Sequence, residues 1–361
     1  MVFLLLAPGG CTTTEPPRFR LNTEGRDPAR ISRPQQDAIL GALEGLFGTP
    51  DEPKVPPGIE LPLEPLKMAA GPVGSAEDGS LWGLYRKYCA ACHGISGDGA
   101  GPRAALFDPY PRDFRHGVYK YTSTAGGAKP VRTDLQRTLH CGIPGTAMPS
   151  FDRLSDREIV ALVQYVVYLS IRGETELFLL QLVLDEDEYP VDKAKAAREG
   201  ALPAAASWVA AEKMVVQPPP PPALDTAEQL STSLARGRKL FATKDAKCVQ
   251  CHGPAGKGDG EQSELYDDWN KRKRGVTPQQ TQELARLFRL PLEQLRPRNF
   301  TEGIFHGGAR PIDIYRRIHV GIKGTPMPAA GPAPGSSGAL KPEDIWHLVS
   351  FVRSLGPGGG R

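Results

Sequence analysis

Two five-residue stretches, Cys89-Ala-Ala-Cys92-His93 and Cys248-Val-Gln-Cys251-His252, decide how this chain is read. Cys-x-x-Cys-His is the attachment signal for c-type haem. Two thiols one helical turn apart can each add to a vinyl group on one porphyrin edge. The next residue, His, then lies under the iron and offers an imidazole nitrogen as proximal ligand. A redox dithiol or a zinc half-site also uses a Cys pair, but neither needs a His directly after both pairs. The motifs therefore predict two covalently bound haem c groups.

Haem iron usually takes a second axial ligand, and Met is one option. Downstream of each motif lies a matching loop, Gly145-Thr146-Ala147-Met148-Pro149 and Gly324-Thr325-Pro326-Met327-Pro328. Only five Met occur in the chain, and two fall in this same local frame. A lone Met is ordinarily core filler, but a Gly/Pro setting is a rigid loop and not a helical face. These residues resemble class I c-type cytochromes, in which a Met in a loop after the haem-binding helix closes the coordination sphere. The resemblance covers residues 80–171 and 231–356. It implies thioether links at Cys89, Cys92, Cys248 and Cys251, with axial pairs His93/Met148 and His252/Met327. It also implies that the Pro102 carbonyl accepts the free N–H of His93 and fixes its ring. No Pro stands at the equivalent place after Gly258-Asp259-Gly260, which leaves the partner of His252 open. Arg112, in Pro111-Arg112-Asp113-Phe114, reads either as a haem propionate partner or as a solvated loop residue.

The predicted fold class is all-α: two small cytochrome c-type helical domains joined by a helical and Pro-rich linker, behind an extended N-terminal segment. The chain of 361 residues has room for both domains and more. Gly 40 and Pro 36 are high, as long loops and connectors require. A net charge of +3 makes no case for nucleic acid binding. The haem motifs use four of the six Cys; Cys11 and Cys141 remain, far apart in sequence.

Taken in order, residues 1–15 resemble the end of a bacterial lipoprotein signal: an apolar run, small residues, Cys11, then a polar tether. Cys11 is read either as a lipid anchor or as a free thiol. Residues 16–79 are Pro-rich with one short helix, whose Ile39, Leu43, Leu46 and Phe47 share a stripe. That helix either caps the first haem domain or docks on a partner. Pro50 to Pro65 reads as an extended connector. In the first domain (80–171), Thr133-Asp134-Leu135-Gln136 and Ser155-Asp156-Arg157-Glu158 are capping boxes that open helices. His140 and His319 both lie eight residues before a loop Met (148 − 140 and 327 − 319). Each is read as a helix-end His, an alternative axial ligand, or a donor near the haem edge. Cys141 is read as a buried small apolar residue. The linker (172–230) holds an amphipathic helix over Glu176–Leu184, too short to span a membrane, then an Ala-rich helix and a polyproline spacer at 218–222. The second domain (231–356) carries an insertion from Glu261 to about Arg296. Its basic run, Lys271-Arg272-Lys273-Arg274, reads as a solvated loop or as a guide for an acidic redox partner.

No nucleophile, paired-carboxylate site or substrate pocket is evident, so no catalytic residue is assigned. The expected function is a dihaem electron carrier in a respiratory chain, exchanging single electrons with a donor and an acceptor protein. The resemblance points to a membrane oxidase of the haem–copper type or a quinol-oxidising complex as partner. It also implies a periplasmic location, or one on the outer face of a bacterial membrane. The alternative is a dihaem cytochrome c peroxidase-like enzyme or other dihaem oxidoreductase, which needs one haem with an open distal position. A third reading is the haem-bearing part of a larger dehydrogenase complex.

Overall fold

The computed structural model describes residues 15–75, 77, 79–185, 191–243, 245–267, 277–335 and 337–358. Cys11, the basic run at 271–274 and the acidic run after Leu184 from residue 186 onward lie outside the described residues. The described chain is helical, with one two-stranded ribbon of β1 (Gly74–Ser75) and β2 (Leu81–Trp82). The all-α reading therefore stands, with two hydrophobic cores, one for each haem motif.

The first half is built on one long helix. The N-terminal segment adds α1 (Arg33–Phe47) and α2 (Leu63–Ala69), and the haem motif adds α3 (Leu84–Tyr88) and α4 (Ala90–His93). Next come α5 (Arg132–Cys141) and α6 (Asp156–Asp185). Ser155 caps α6 as its capping box predicts, with Glu158 Oε2 accepting from the Ser155 N–H at 2.9 Å. The sequence splits α6 into a closing helix and a separate linker helix, but the structure makes it one rod of 30 residues. The boundary at 171 falls inside it because Gly173 does not end the helix. Gly173 instead lets the Phe114–His116 turn cross α6 at backbone contact, where any Cβ would collide with Arg115. No described helix is long and apolar enough to cross a membrane.

The N-terminal extension wraps this rod, which resolves its role in favour of capping the first haem domain. Ile39, Leu43 and Phe47 of α1 are fully buried. The Tyr168 hydroxyl donates to the Phe47 carbonyl at 2.5 Å. Farther along α6, Glu176 is ion-paired with Arg172 at 2.8 Å and accepts from the Asn22 N–H, while Phe19 lies against the Arg172 guanidinium. The Pro50–Pro65 stretch is not wholly extended, because α2 begins at Leu63 and buries Leu66 and Ala69 on α6. Pro65 sits in the first turn of α2, where a missing N–H costs nothing. The α5 boundary also differs. The helix begins at Arg132, and Asp134 accepts from the Val131 and Ser123 N–H groups, so Thr133 is not the cap. Cys141 is exposed, at the end of α5, and not buried.

The linker folds back as α7 (Lys193–Lys195), a π-turn over Ala196–Ala201, and α8 (Leu202–Ala210). Its small Ala side chains let it lie close on α6, and Trp208 is buried edge-on against Tyr119. The polyproline stretch is not a free spacer: the Trp346 indole donates to the Pro219 carbonyl at 2.8 Å. The second domain holds α9 (Ala227–Phe241), α10 (Cys248–His252), α11 (Pro278–Ala285), α12 (Pro311–Val320) and α13 (Pro342–Ser354). Helices α9 and α13 form its spine and cross at Gly237, where a Cβ would lie 2.7 Å from Phe351 Cβ and strike the His347 carbonyl. Gly237→Ala is expected to cost the second domain about 1–3 kcal/mol of stability by overpacking. Melting followed at each haem's absorption checks this, with the first domain unmoved.

Candidate functional site

Each Cys-x-x-Cys-His motif occupies a short helix closed by a glycine of positive φ, Gly94 at +73° and Gly253 at +72°. In the first motif, the Cys92 and His93 N–H groups bond back to the Cys89 carbonyl at 3.1 and 2.8 Å. The helical turn therefore sets the two thiols and the imidazole on one local frame. Burial pushes the Cys89 thiol up to about 12 and the Cys248 thiol up to about 11. Such thiols stay protonated at neutral pH, unlike the exposed, low-pKa thiol of a redox dithiol. Among the described residues no three His, Cys, Asp or Glu side chains gather as a metal ion would require.

His93 Nδ1 lies 3.0 Å from the Arg112 carbonyl, and His252 Nδ1 lies 3.1 Å from the Arg298 carbonyl. A carbonyl only accepts, so Nδ1 carries the proton and Nε2 keeps a free lone pair, the form of the ring that a metal ligand requires. This corrects the Pro102 expectation: Pro102 is exposed, while Gly101 before it packs on the Ala90 and Ala91 carbonyls. It also supplies the acceptor left open for His252. In each domain a Pro-Arg-Asx-Phe segment does both jobs: its Arg carbonyl holds the imidazole, and its Phe stacks on the ring. The His93–Phe114 centroids are 4.5 Å apart at 19°, and the His252–Phe300 centroids 4.4 Å apart at 24°. Desolvation lowers the affinity of both His rings for a second proton, which keeps them neutral as a ligand must be. The repetition of Pro-Arg-Asx-Phe was the available sequence signal, but a backbone acceptor leaves no side-chain mark.

The turn is fixed by its Asx residue. Asp113 accepts from the Arg115 N–H at 2.9 Å and pairs with its guanidinium at 2.7 Å, both residues being buried. Asn299 does the capping alone in the second domain, accepting from the Thr301 N–H at 3.1 Å.

Both Met loops adopt one conformation. The Met148 N–H bonds to Thr146 Oγ1 at 3.2 Å and the Met327 N–H to Thr325 Oγ1 at 3.3 Å. The Met148 and Met327 carbonyls accept from Ile143 and Ile322 at 3.0 and 3.1 Å. Met148 lies half-buried against the first core, and Met327 is half-buried. The candidate ligands thus sit in repeated settings in both halves. His319 is buried and directs Nε2 to the Pro332 carbonyl at 2.9 Å, which fits the helix-end reading. His140 is half-buried.

The two sites face one seam. A Cβ on Gly145, in the Met148 loop, would lie 3.3 Å from Arg298 Nη1; one on Gly324, in the Met327 loop, would lie 3.2 Å from Arg112 Nη1. Each Met loop therefore abuts the segment whose Arg carbonyl meets the other domain's motif His. Arg137 ties the seam to Asp313 at 2.6 Å, and Arg317 donates to the Lys120 carbonyl at 2.9 Å. The insertion adds straps of its own. Asp267 pairs with Arg112 at 3.3 Å and Lys120 at 2.8 Å, so Arg112 is not a solvated residue. Arg289 bridges Glu24 and Asp98, which joins the N-terminal extension, the first haem loop and the insertion.

Residues 76–166 match the family model described as cytochrome c oxidase, cbb3-type, subunit III, and residues 234–356 match the model for cytochrome c. A solved chain from the reducing HAO-like protein complex of Kuenenia stuttgartiensis is 26% identical, with TM-score 0.51, covering 79% of this chain and 98% of that one. No curated protein matches the chain.

Proposed function

We infer, from a chain that is a tandem of two cytochrome c-type domains with two covalently bound haem c groups, that this protein relays single electrons between protein partners. The haems supply Fe(III)/Fe(II) cycling. The observation that carries the relay reading is the repetition of the whole site. The same His, Nδ1 acceptor, stacked Phe and Met loop recur, so neither half is visibly opened for substrate. Cys89, Cys92, Cys248 and Cys251 form the thioethers, His93 and His252 are the proximal ligands, and Met148 and Met327 are the distal ligands. Met ligation sets potentials above those of bis-His haem.

The partners we propose are a redox donor and an acceptor of a respiratory chain, with a membrane oxidase or quinol-oxidising complex as one of them. The resemblance of residues 76–166 to an oxidase subunit supports that choice. We further propose a location in the periplasm or on the outer face of a bacterial membrane, which the need to attach c-type haem supports, with Cys11 as lipid anchor. A second reading, the electron-transfer subunit of a larger oxidoreductase complex, is favoured by the likeness to nearly the whole of a chain from an HAO-like complex.

EPR and absorption spectra of the haem-loaded protein, with and without carbon monoxide, test the relay. Two low-spin haems that refuse carbon monoxide are expected. One high-spin haem that binds it would replace the relay with a dihaem oxidoreductase, and peroxide would be the first substrate to try.

A further inference from the structure

Both halves carry a Gly-Asp-Gly loop after the haem motif, but the two loops are packed differently. Asp98 and Asp259 stand in one frame: a Cβ on Gly94 would lie 2.0 Å from Asp98 Oδ1, and one on Gly253 would lie 2.0 Å from Asp259 Oδ1. Asp259 faces solvent, whereas Asp98 is buried. Two segments from outside the first domain close over the Asp98 loop. The N-terminal extension supplies the Arg20 N–H, which donates to Ser96 Oγ at 2.8 Å. The second domain's insertion supplies Phe288-Arg289-Leu290. Phe288 lies beside Gly25, Leu290 is buried, and the Arg289 guanidinium is ion-paired with Asp98 and lies 3.6 Å from Glu24.

The neighbouring charges define what Arg289 does. Asp113 is paired with Arg115, Glu176 with Arg172, and Arg112 with Asp267. That leaves two buried carboxylates, Glu24 and Asp98, with Arg289 as the cation paired with both. Asp98 is felt at the haem motif. Burial is the main cause that lowers the affinity of His93 for a second proton; the Arg112 carbonyl, Asp113 and Asp98 oppose it, and the Arg112 guanidinium adds to it. At His252 burial is opposed by the Arg298 carbonyl alone. The same carboxylate thus bears on the first imidazole and not on the second, because a charge that faces water is screened.

We propose that Arg289 is a positioning residue through which the second domain's insertion sets the potential of the first haem, by neutralising Asp98. The proposal rests on the dihaem reading and concerns this chain's own residues around His93. A bare carboxylate beside the motif His would oppose the electron added on reduction, and in a desolvated loop that repulsion is poorly screened. Arg289 offsets it, and Glu24 holds the guanidinium from its other side. Asp259, already in water, needs no such cation. The two haems are therefore tuned apart by a residue that belongs to neither haem-binding segment.

The test is a spectroelectrochemical titration of the holoprotein, with each haem followed by its own paramagnetic NMR signals. Arg289→Gln is expected to lower the potential of the first haem and to leave the second where it is. Arg289→Lys keeps the charge and is expected to restore most of the shift. Asp98→Asn removes the carboxylate with Arg289 in place and is expected to raise the first potential. It leaves Arg289 paired with Glu24, so it keeps the proposal testable if Arg289→Gln folds poorly. In the double variant Arg289→Gln/Asp98→Asn the first potential should return close to the wild-type value. Asp259→Asn is expected to move the second potential much less than Asp98→Asn moves the first. Equal shifts in Arg289→Gln and Arg289→Lys would overturn the proposal, because a purely structural role produces them. So would a fall of the same size at both haems, or a first potential that does not respond to Asp98→Asn. Haem content and low-spin EPR signals are read on the same samples, so failure of the relay reading would appear there and not in the pattern of shifts.

Discussion

Met327→Ala is expected to convert the second haem alone to a high-spin centre that binds carbon monoxide, one per chain, and to lower its potential. The loop should survive the change. Its shape is held by the Thr325 Oγ1 bond to the residue 327 N–H and by the Ile322 N–H bond to the residue 327 carbonyl, and both are independent of the side chain. What is lost is a half-buried thioether, the one soft ligand the loop offers. The first haem should keep its low-spin spectrum, because Met148 belongs to a separate core. The measurement is EPR and carbon monoxide titration of the reduced variant. If both haems stayed low-spin, Met327 would be packing and the ligand would have to be sought elsewhere, His319 first.

Asp113→Ala carries the largest expected effect on stability. Asp113 is 2% exposed and Arg115 is not exposed at all. Removing the carboxylate strands a buried guanidinium, which costs about 3–5 kcal/mol. The turn it caps also carries the Arg112 carbonyl, so the His93 ring should lose its fixed orientation and the first haem's spectrum should broaden. The pH dependence has a definite sign. Burial alone raises the Asp113 carboxyl, but Arg115 and His116 override it and hold it well below the usual carboxylate range. A depressed native pKa adds stability that is complete above the unfolded value of about 4 and is lost as pH falls below it. The gap between wild type and Asp113→Ala should therefore be constant at neutral pH and narrow under acid. Denaturant titrations across that range, followed at the first haem, test it; a gap that widened in acid would rule out the ion pair as its source. Asp113→Asn should lose less, since Asn299 shows that an amide makes the same cap in the second domain.

What the sequence made legible was local. The Cys-x-x-Cys-His motifs, the Met loops, the box at Ser155 and the Ile39, Leu43 and Phe47 stripe of α1 each combine residue type with short spacing. What it concealed was distant or carried by backbone. The acceptors for His93 and His252 are carbonyls, which no side chain announces. The continuity of α6 depends on Gly173 meeting Arg115, a contact that only the folded turn creates. The insertion is marked in sequence only by its basic run, whereas Asp267 and Arg289 tie it to the first domain through residues far away in the chain. Cys141 looked apolar by type, but its position at the end of α5 leaves it exposed.

The crossed contacts of Gly145 with Arg298 and Gly324 with Arg112 also bear on how such a chain can be re-engineered. A graft that imports one domain from a homologous chain carries only half of each crossed pair. Its own haem would load, yet the loop opposite would meet a foreign side chain. The heritable module is therefore the doublet, and a workable chimera must keep both 112 with 324 and 145 with 298 matched in the same step.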